Sequence, residues 1–180
     1  MPGQSFQGLL IANFAILAAI SCPAHATDSG EKQVAAAVGF AMAGGENGAR
    51  PGMQASVEAA LGFTDAWAGR VTVSSSWQPE AGSCGPHRVT AVSLGTVYSF
   101  DVVRWVPFLD LGFSLADLRG NGASSQRLGP QAGLGVEYQL SRRWTLAALV
   151  RFDYIALRLR GSGGTQPWWA CADLRVGRVF

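Results

Sequence analysis

Apolar and polar residues alternate along most of the chain with the two-residue period of a β-strand. In the segment 144–158, apolar side chains occupy the even positions from Leu146 to Tyr154, and Arg151 and Asp153 stand between them. Successive side chains of a strand point to opposite faces, so this strand has one apolar and one charged face. Turns and loops divide the chain into eight predicted strands, at 32–43, 53–63, 67–77, 89–101, 105–118, 128–140, 144–158 and 168–180. The alternation holds in most of them and is weaker in the first and third.

Two kinds of connection separate these strands. In LGFTDAW, YSFDVVRW and YQLSRRW, an apolar strand end is followed by a short polar turn and then by a tryptophan. Four other stretches are rich in Gly, Pro, Asn and Ser and have no apolar period: 44–52, 78–88, 119–127 and 159–167. That composition is typical of loops, so short turns and four long loops are expected to alternate around an up-and-down barrel.

The polar face of the predicted strands combines small residues with a few charged ones. Side chains just fill the interior of an eight-stranded barrel, and charges buried there must be paired. A water-facing surface usually carries many lysines, yet the chain contains only Lys32. We therefore predict that the charged face is internal and forms an ion-pair network of Glu58, Arg70, Asp110, Glu137, Arg151, Asp153, Asp173 and Arg175.

Aromatic residues mark both ends of the predicted strands. Trp67, Trp105, Trp144 and Phe180 fall at the short-turn end, and Trp77, Trp168 and Trp169 fall near the long loops. Two aromatic belts that flank an apolar band are typical of a membrane barrel, whose apolar face meets lipid. The alternative is that these aromatics cap the core of a water-soluble barrel.

Composition agrees with one all-β domain and excludes several functions. Of the 180 residues, 48% are hydrophobic, 14% are charged and 23 are glycines. The formal net charge is +2, and the cationic residues are spread along the chain, so nucleic-acid binding is not expected. The sequence has neither a CxxC pair nor a His/Cys cluster with the spacing of a zinc site, and it predicts no metal and no cofactor.

The N-terminus has the pattern of an export signal. An apolar run at 9–20 precedes Ala24-His25-Ala26, a small-x-small cleavage site, and is too short to cross a bilayer as a helix. We expect a signal peptide at 1–26, with Ala24 and Ala26 at the cleavage site, and a barrel domain at 27–180. A buried N-terminal helix is the alternative.

Few residues carry chemistry outside the charged face. After export, Cys84 and Cys171 are either a disulfide pair or two separate thiols. His87 has Ser83 and Glu80 nearby in sequence, but a histidine in a loop is more often solvated, and no GxSxG motif is present. We therefore expect no catalytic site.

From about residue 32 to its end, the chain resembles the small outer-membrane β-barrels of the OmpA/OmpX type. Its last segment, LRVGRVF, places Leu174, Val176 and Phe180 at alternating positions, and Arg178 departs from the family pattern. The resemblance implies an eight-stranded antiparallel transmembrane barrel in the outer membrane of a Gram-negative-type bacterium, with both termini periplasmic. It also implies a monomer that contacts outer-membrane lipid and, through Phe180, the outer-membrane insertion machinery.

The resemblance specifies architecture more closely than activity. We expect a structural or surface-interaction role, with four external loops on display and no catalysis. Two alternatives stay open: a soluble, exported, lipocalin-like barrel that binds a small apolar ligand, and a narrow outer-membrane channel.

Overall fold

A computed structural model describes residues 30–45, 48–79, 87–100, 105–120, 123–161 and 168–180. These residues form nine β-segments: β1 (Lys32–Gly45), β2 (Gly48–Gly62), β3 (Trp67–Gln78), β4 (His87–Ser99), β5 (Trp105–Gly120), β6 (Ala123–Gln139), β7 (Trp144–Tyr154), β8 (Leu157–Gly161) and β9 (Trp168–Val179). In this part of the chain, no helix is long and apolar enough to cross a membrane.

The strands form one closed antiparallel sheet. Chain neighbours from β1 to β7 pair in order, and β9 pairs with both β7 and β1, which closes the ring. β7 and β8 both pair with β6 and are separated only by Ile155 and Ala156, so they are two segments of one strand. The described chain is therefore an eight-stranded up-and-down barrel, and the predicted fold class is confirmed.

The barrel has two ends with different connections. At the short-turn end, residues 63–66 join β2 to β3, residues 140–143 join β6 to β7, β4 ends and β5 begins. The first and last strands also meet there, where Phe180 N donates to Lys32 O at 2.9 Å. At the opposite end, called the loop end, β1, β3, β5 and β8 end and β2, β4, β6 and β9 begin.

The prediction of long loops is wrong for two of the four segments, 44–52 and 119–127, because most of their residues belong to strands. β1 and β2 pair as far as Gly45 with Gly48, and β5 and β6 pair as far as Gly120 with Ala123, so two residues separate the strands in each case. The Gly, Pro and Ser content of these segments suggested loops. Strand pairing overrides that signal because each backbone position adds ladder hydrogen bonds to a strand that is already in place.

The barrel is inverted relative to a water-soluble protein, because large apolar side chains cover its outer face and charged side chains are buried inside. Along β7, every even position is exposed and every odd position is buried. Phe40 is 72% exposed on the outer face, whereas Arg151 is 2% exposed on the inner face. The alternation deduced from the sequence thus corresponds to the two faces of the barrel wall.

Trp169 is a correction to the predicted aromatic belt. Its side chain is 2% exposed and packs inside the barrel with Ile155 and Cys171. Its neighbour Trp168 stacks on Phe152, with ring centroids 6.1 Å apart. Because consecutive residues of a strand point to opposite faces, only one of two adjacent tryptophans can face outward.

Two small apolar clusters fill parts of the interior. One lies toward the loop end and contains Ala41, Val89, Ala91, Ala116, Leu118, Ile155, Trp169 and Cys171. The other lies toward the short-turn end and contains Val97, Phe108, Ala147 and Leu149. Along β7, Arg151 and Asp153 lie between Leu149 and Ile155, so charged side chains occupy the space between the clusters.

Candidate functional site

Most of the charged residues predicted for the barrel interior meet one another there. Arg70 Nη1 lies 3.2 Å from Glu58 Oε2, and Arg70 Nη2 lies 2.8 Å from Asp110 Oδ2. Arg175 Nη1 lies 2.9 Å from Glu58 Oε2, and Arg175 Nη2 also pairs with Glu137. Glu58 therefore joins two arginines, and these five side chains form one continuous chain of ion pairs.

A second, smaller group lies on β7 and β9. Arg151 Nη2 lies 3.4 Å from Asp173 Oδ2, which also accepts a 2.8 Å hydrogen bond from Gln54 Nε2. Asp153 is buried at 1% exposure, and in the described part of the chain neither of its carboxylate oxygens has a hydrogen-bond partner. The structure thus brings seven of the eight predicted residues into ion pairs and leaves Asp153 outside them.

The register explains how Arg175 reaches carboxylates on strands that are not its neighbours. Across the wall, Arg175 stands beside Ala37 on one side and Ala147 on the other, and Ala147 in turn stands beside Glu137. Neighbouring strands are about 4.8 Å apart, so these contacts span two strand spacings, a distance that a long arginine side chain can cover. The small alanines leave room for the guanidinium group.

Phe108 is a member of this site that the sequence interpretation missed. Its ring lies 5.5 Å from Arg70 Cζ and 5.1 Å from Arg175 Cζ, so both guanidinium groups stack on one aromatic ring. A Cβ atom at Gly135, the residue opposite Phe108, would collide with the ring. The sequence did contain a signal for this residue. Phe108 lies two positions before Asp110 on β5, so both side chains point to the inner face.

Glutamines complete the hydrogen bonding of two carboxylates. Gln131 Nε2 donates to Asp110 Oδ2 at 3.0 Å, and Gln33 Nε2 donates to Glu137 Oε2 at 3.1 Å. Amide groups donate hydrogen bonds without adding charge. Buried carboxylates need such donors where too few guanidinium groups are in reach to pair with them.

A polar vestibule of about 150 Å³ opens at the short-turn end and is lined in part by Glu31, Gln33, Asp65 and Glu137. A deeper cavity of about 70 Å³ shares some of this lining and reaches Phe108. Farther along the described lumen, the ion pairs and the loop-end apolar cluster occupy the interior.

The other predicted sites have little structural detail. Ala24, Ala26, Glu80, Ser83 and Cys84 lie outside the described residues, as does the side chain of His87. Cys171 is a free, buried thiol inside the barrel. Among the described residues, no group of three or more His, Cys, Asp or Glu side chains is arranged to hold a metal ion.

The remaining predicted belt aromatics are placed near strand ends. Trp67, Trp105 and Trp144 begin strands at the short-turn end, and Trp77 lies near the loop end of β3, all with outward, exposed side chains. Trp67 contacts Tyr98 and Trp105 contacts Tyr138, with ring centroids 4.9 and 4.7 Å apart.

Arginines are concentrated at the loop end. Arg119 is exposed, and its Nη2 lies 2.8 Å from Asp117 Oδ2. The strand register sets Arg88 beside Arg119 and Arg127 beside Arg158. Among the described residues, six arginines at this end form what we call the arginine rim: Arg50, Arg88, Arg119, Arg127, Arg158 and Arg160.

Comparisons with known proteins identify the fold. No protein-family model and no curated protein matches the sequence. The crystal structure of Neisserial surface protein A is similar, with a TM-score of 0.71 and 20% identity over 83% of this chain and 98% of that one. Ail, the attachment invasion locus protein of Yersinia pestis, gives a TM-score of 0.58 and 12% identity over 84% and 99% of the two chains.

The outer-membrane enzyme PagL has the same fold, with a TM-score of 0.51 and 18% identity over 81% of this chain and 97% of that one. A catalytic and an attachment protein thus share this architecture, so the fold by itself does not assign an activity. The chain has the fold of the small eight-stranded outer-membrane β-barrels.

Proposed function

We propose that this protein is an outer-membrane β-barrel of a Gram-negative-type bacterium that acts in surface interaction, without catalysis. The observation that carries the proposal is the inverted barrel wall. Phe40 is 72% exposed, Leu94 is 67% exposed and Leu134 is 64% exposed, while the charged side chains are buried inside. A protein in water rarely exposes so large an apolar surface, whereas lipid requires one.

Strand length supports a barrel that projects beyond the bilayer. A tilted strand of about 9 to 11 residues crosses the hydrocarbon layer. β1 and β2 have 14 and 15 residues, and β5 and β6 have 16 and 17. We propose that the short turns and both termini are on the periplasmic side, an orientation in which the extra length would extend the arginine rim from the cell surface.

The arginine rim favours an anionic surface partner. Arg158 and Arg160 are exposed on β8, and exposed Arg119 lies farther around the rim. Guanidinium groups bind sulfate and phosphate oxygens through paired hydrogen bonds. One structure of Ail is a complex with the heparin analogue sucrose octasulfate. We propose a sulfated or phosphorylated sugar polymer as the class of partner for this chain.

Gel migration tests whether the protein inserts in a membrane, and ligand binding tests whether the arginine rim binds a polyanion. A folded outer-membrane barrel should migrate differently before and after it is boiled in detergent, and an unchanged band would refute membrane insertion. Calorimetric titration of the inserted barrel with sucrose octasulfate should then show binding that weakens at least fivefold in an Arg158→Gln/Arg160→Gln variant. The matched control is Arg142→Gln/Arg143→Gln at the opposite end, and equal losses in both variants would refute a rim site.

A narrow channel is the second candidate, because the vestibule leads inward from the short-turn end as far as Phe108. Single-channel current in planar bilayers tests it, with Arg151→Ala as the variant that removes a charge from the lumen. The lipocalin-like alternative has weaker support, since charged side chains rather than an apolar cavity occupy the described interior.

A further inference from the structure

Arg178 faces outward at the short-turn end and is held between two aromatic rings. Its Cζ lies 5.9 Å from the centroid of Trp144 and 4.9 Å from that of Phe180. The strand register places Arg178 directly beside Trp144, at the level where the apolar outer face ends. Stacking fixes the guanidinium plane while its N–H groups stay available at the barrel surface.

The turn at 140–143 brings two more guanidinium groups to the same edge. Ser141 Oγ accepts hydrogen bonds from Arg143 N at 3.3 Å and Trp144 N at 3.2 Å, which fixes the turn. Val179 N donates to Arg143 O at 2.9 Å and ties the turn to the end of β9, beside Arg178. Arg142 and Arg143 are both exposed.

These three arginines have no acidic partner in the described part of the chain. No carboxylate oxygen there lies within 4.0 Å of a guanidinium nitrogen of Arg142, Arg143 or Arg178. The turn at 63–66 makes a similar hydrogen bond, from Trp67 N to Thr64 Oγ1, but carries Asp65 instead of arginines. Of the two short turns that the structure describes, only the one at 140–143 carries arginines.

We propose that Arg142, Arg143 and Arg178 form a binding site for the phosphate of an anionic glycerophospholipid in the leaflet beside the short turns. This proposal rests on the membrane placement given above. The aromatic rings of Trp144 and Phe180 suit the headgroup boundary, and the guanidinium groups supply the donors that a lipid phosphate accepts. Lipid is the favoured occupant because Arg178 faces outward between two aromatic rings, and Arg142 and Arg143 are exposed in the adjoining turn rather than buried in the lumen.

Spin-labelled lipids test the site on barrels that are already inserted in vesicles. The measurement is the association of spin-labelled phosphatidylglycerol relative to phosphatidylcholine at the barrel surface, by electron paramagnetic resonance. Each interfacial arginine contributes about a fivefold preference for an anionic lipid surface. We expect a preference of at least about fivefold in the native chain, lost in Arg142→Gln/Arg143→Gln and reduced in Arg178→Gln.

The matched control is Arg158→Gln/Arg160→Gln, which removes two arginines from the loop end and should keep the preference. Arg178→Lys keeps the charge and should retain part of it. The absence of a preference in the native chain would overturn the site, as would a preference that survives both short-turn variants or falls equally in the control. Failure of the barrel to insert at all refutes the proposed membrane function instead, and gel migration detects that outcome separately.

Discussion

Replacing Arg175 by glutamine removes the guanidinium group that joins Glu137 to the rest of the longer ion-pair chain. Arg175 is 5% exposed and pairs with Glu58 at 2.9 Å and with Glu137. Removing one partner of a buried ion pair typically costs about 3 to 5 kcal/mol. Glu58 keeps Arg70 at 3.2 Å and Glu137 keeps Gln33 at 3.1 Å, so we expect the lower end, about 3 kcal/mol.

The assay is equilibrium unfolding in urea, followed by tryptophan fluorescence on barrels inserted in lipid vesicles. The control is Arg178→Gln, three positions along the same strand on the opposite face, which should lose only about 0.5 to 1 kcal/mol from its aromatic stacking. If Arg175→Gln lost no more free energy of unfolding than Arg178→Gln, the interior charges would behave as solvated surface pairs and the reasoning would be refuted.

Two further substitutions test the wall itself, both by the same unfolding measurement. Gly135→Leu should lower the free energy of unfolding by about 1 to 3 kcal/mol, because the new side chain collides with the Phe108 ring. Ala132→Leu on the outer face should lower it little, and equal losses in the two variants would contradict this packing. Leu134→Arg should cost about 2 to 4 kcal/mol if the outer face lies in hydrocarbon, and a negligible loss would indicate a water-facing wall.

The eight strands could be predicted because a barrel wall one residue thick separates two environments. Each strand must then alternate between the two environments, and along β7 exposed and buried positions alternate without a break. The interruption between β7 and β8 also left a trace in the sequence, because four apolar residues follow one another at 154–157 and break the alternation. Ile155 points into the loop-end apolar cluster at that break.

The loop boundaries could not be predicted from composition. Residues 48–52 and 123–127 contain Gly, Pro and Ser, yet they pair with strands that are already fixed by the wall. Turn propensity describes what a residue favours alone, whereas pairing depends on a partner strand that is distant in space before the barrel closes. Because two of the four predicted long loops are largely strand, the proposed surface role is argued from the arginine rim instead of from the loops.

The interior charges illustrate where sequence reasoning stops. Alternation shows which residues face inward, but it does not show which of them meet. Glu58 and Arg175 are 117 positions apart and lie on β2 and β9, with β1 between them. Their contact requires ring closure, the correct stagger and the small Ala37 side chain between them, and none of these is encoded near either residue. This link is therefore a property of the closed barrel, and it should form only when β9 docks against β1.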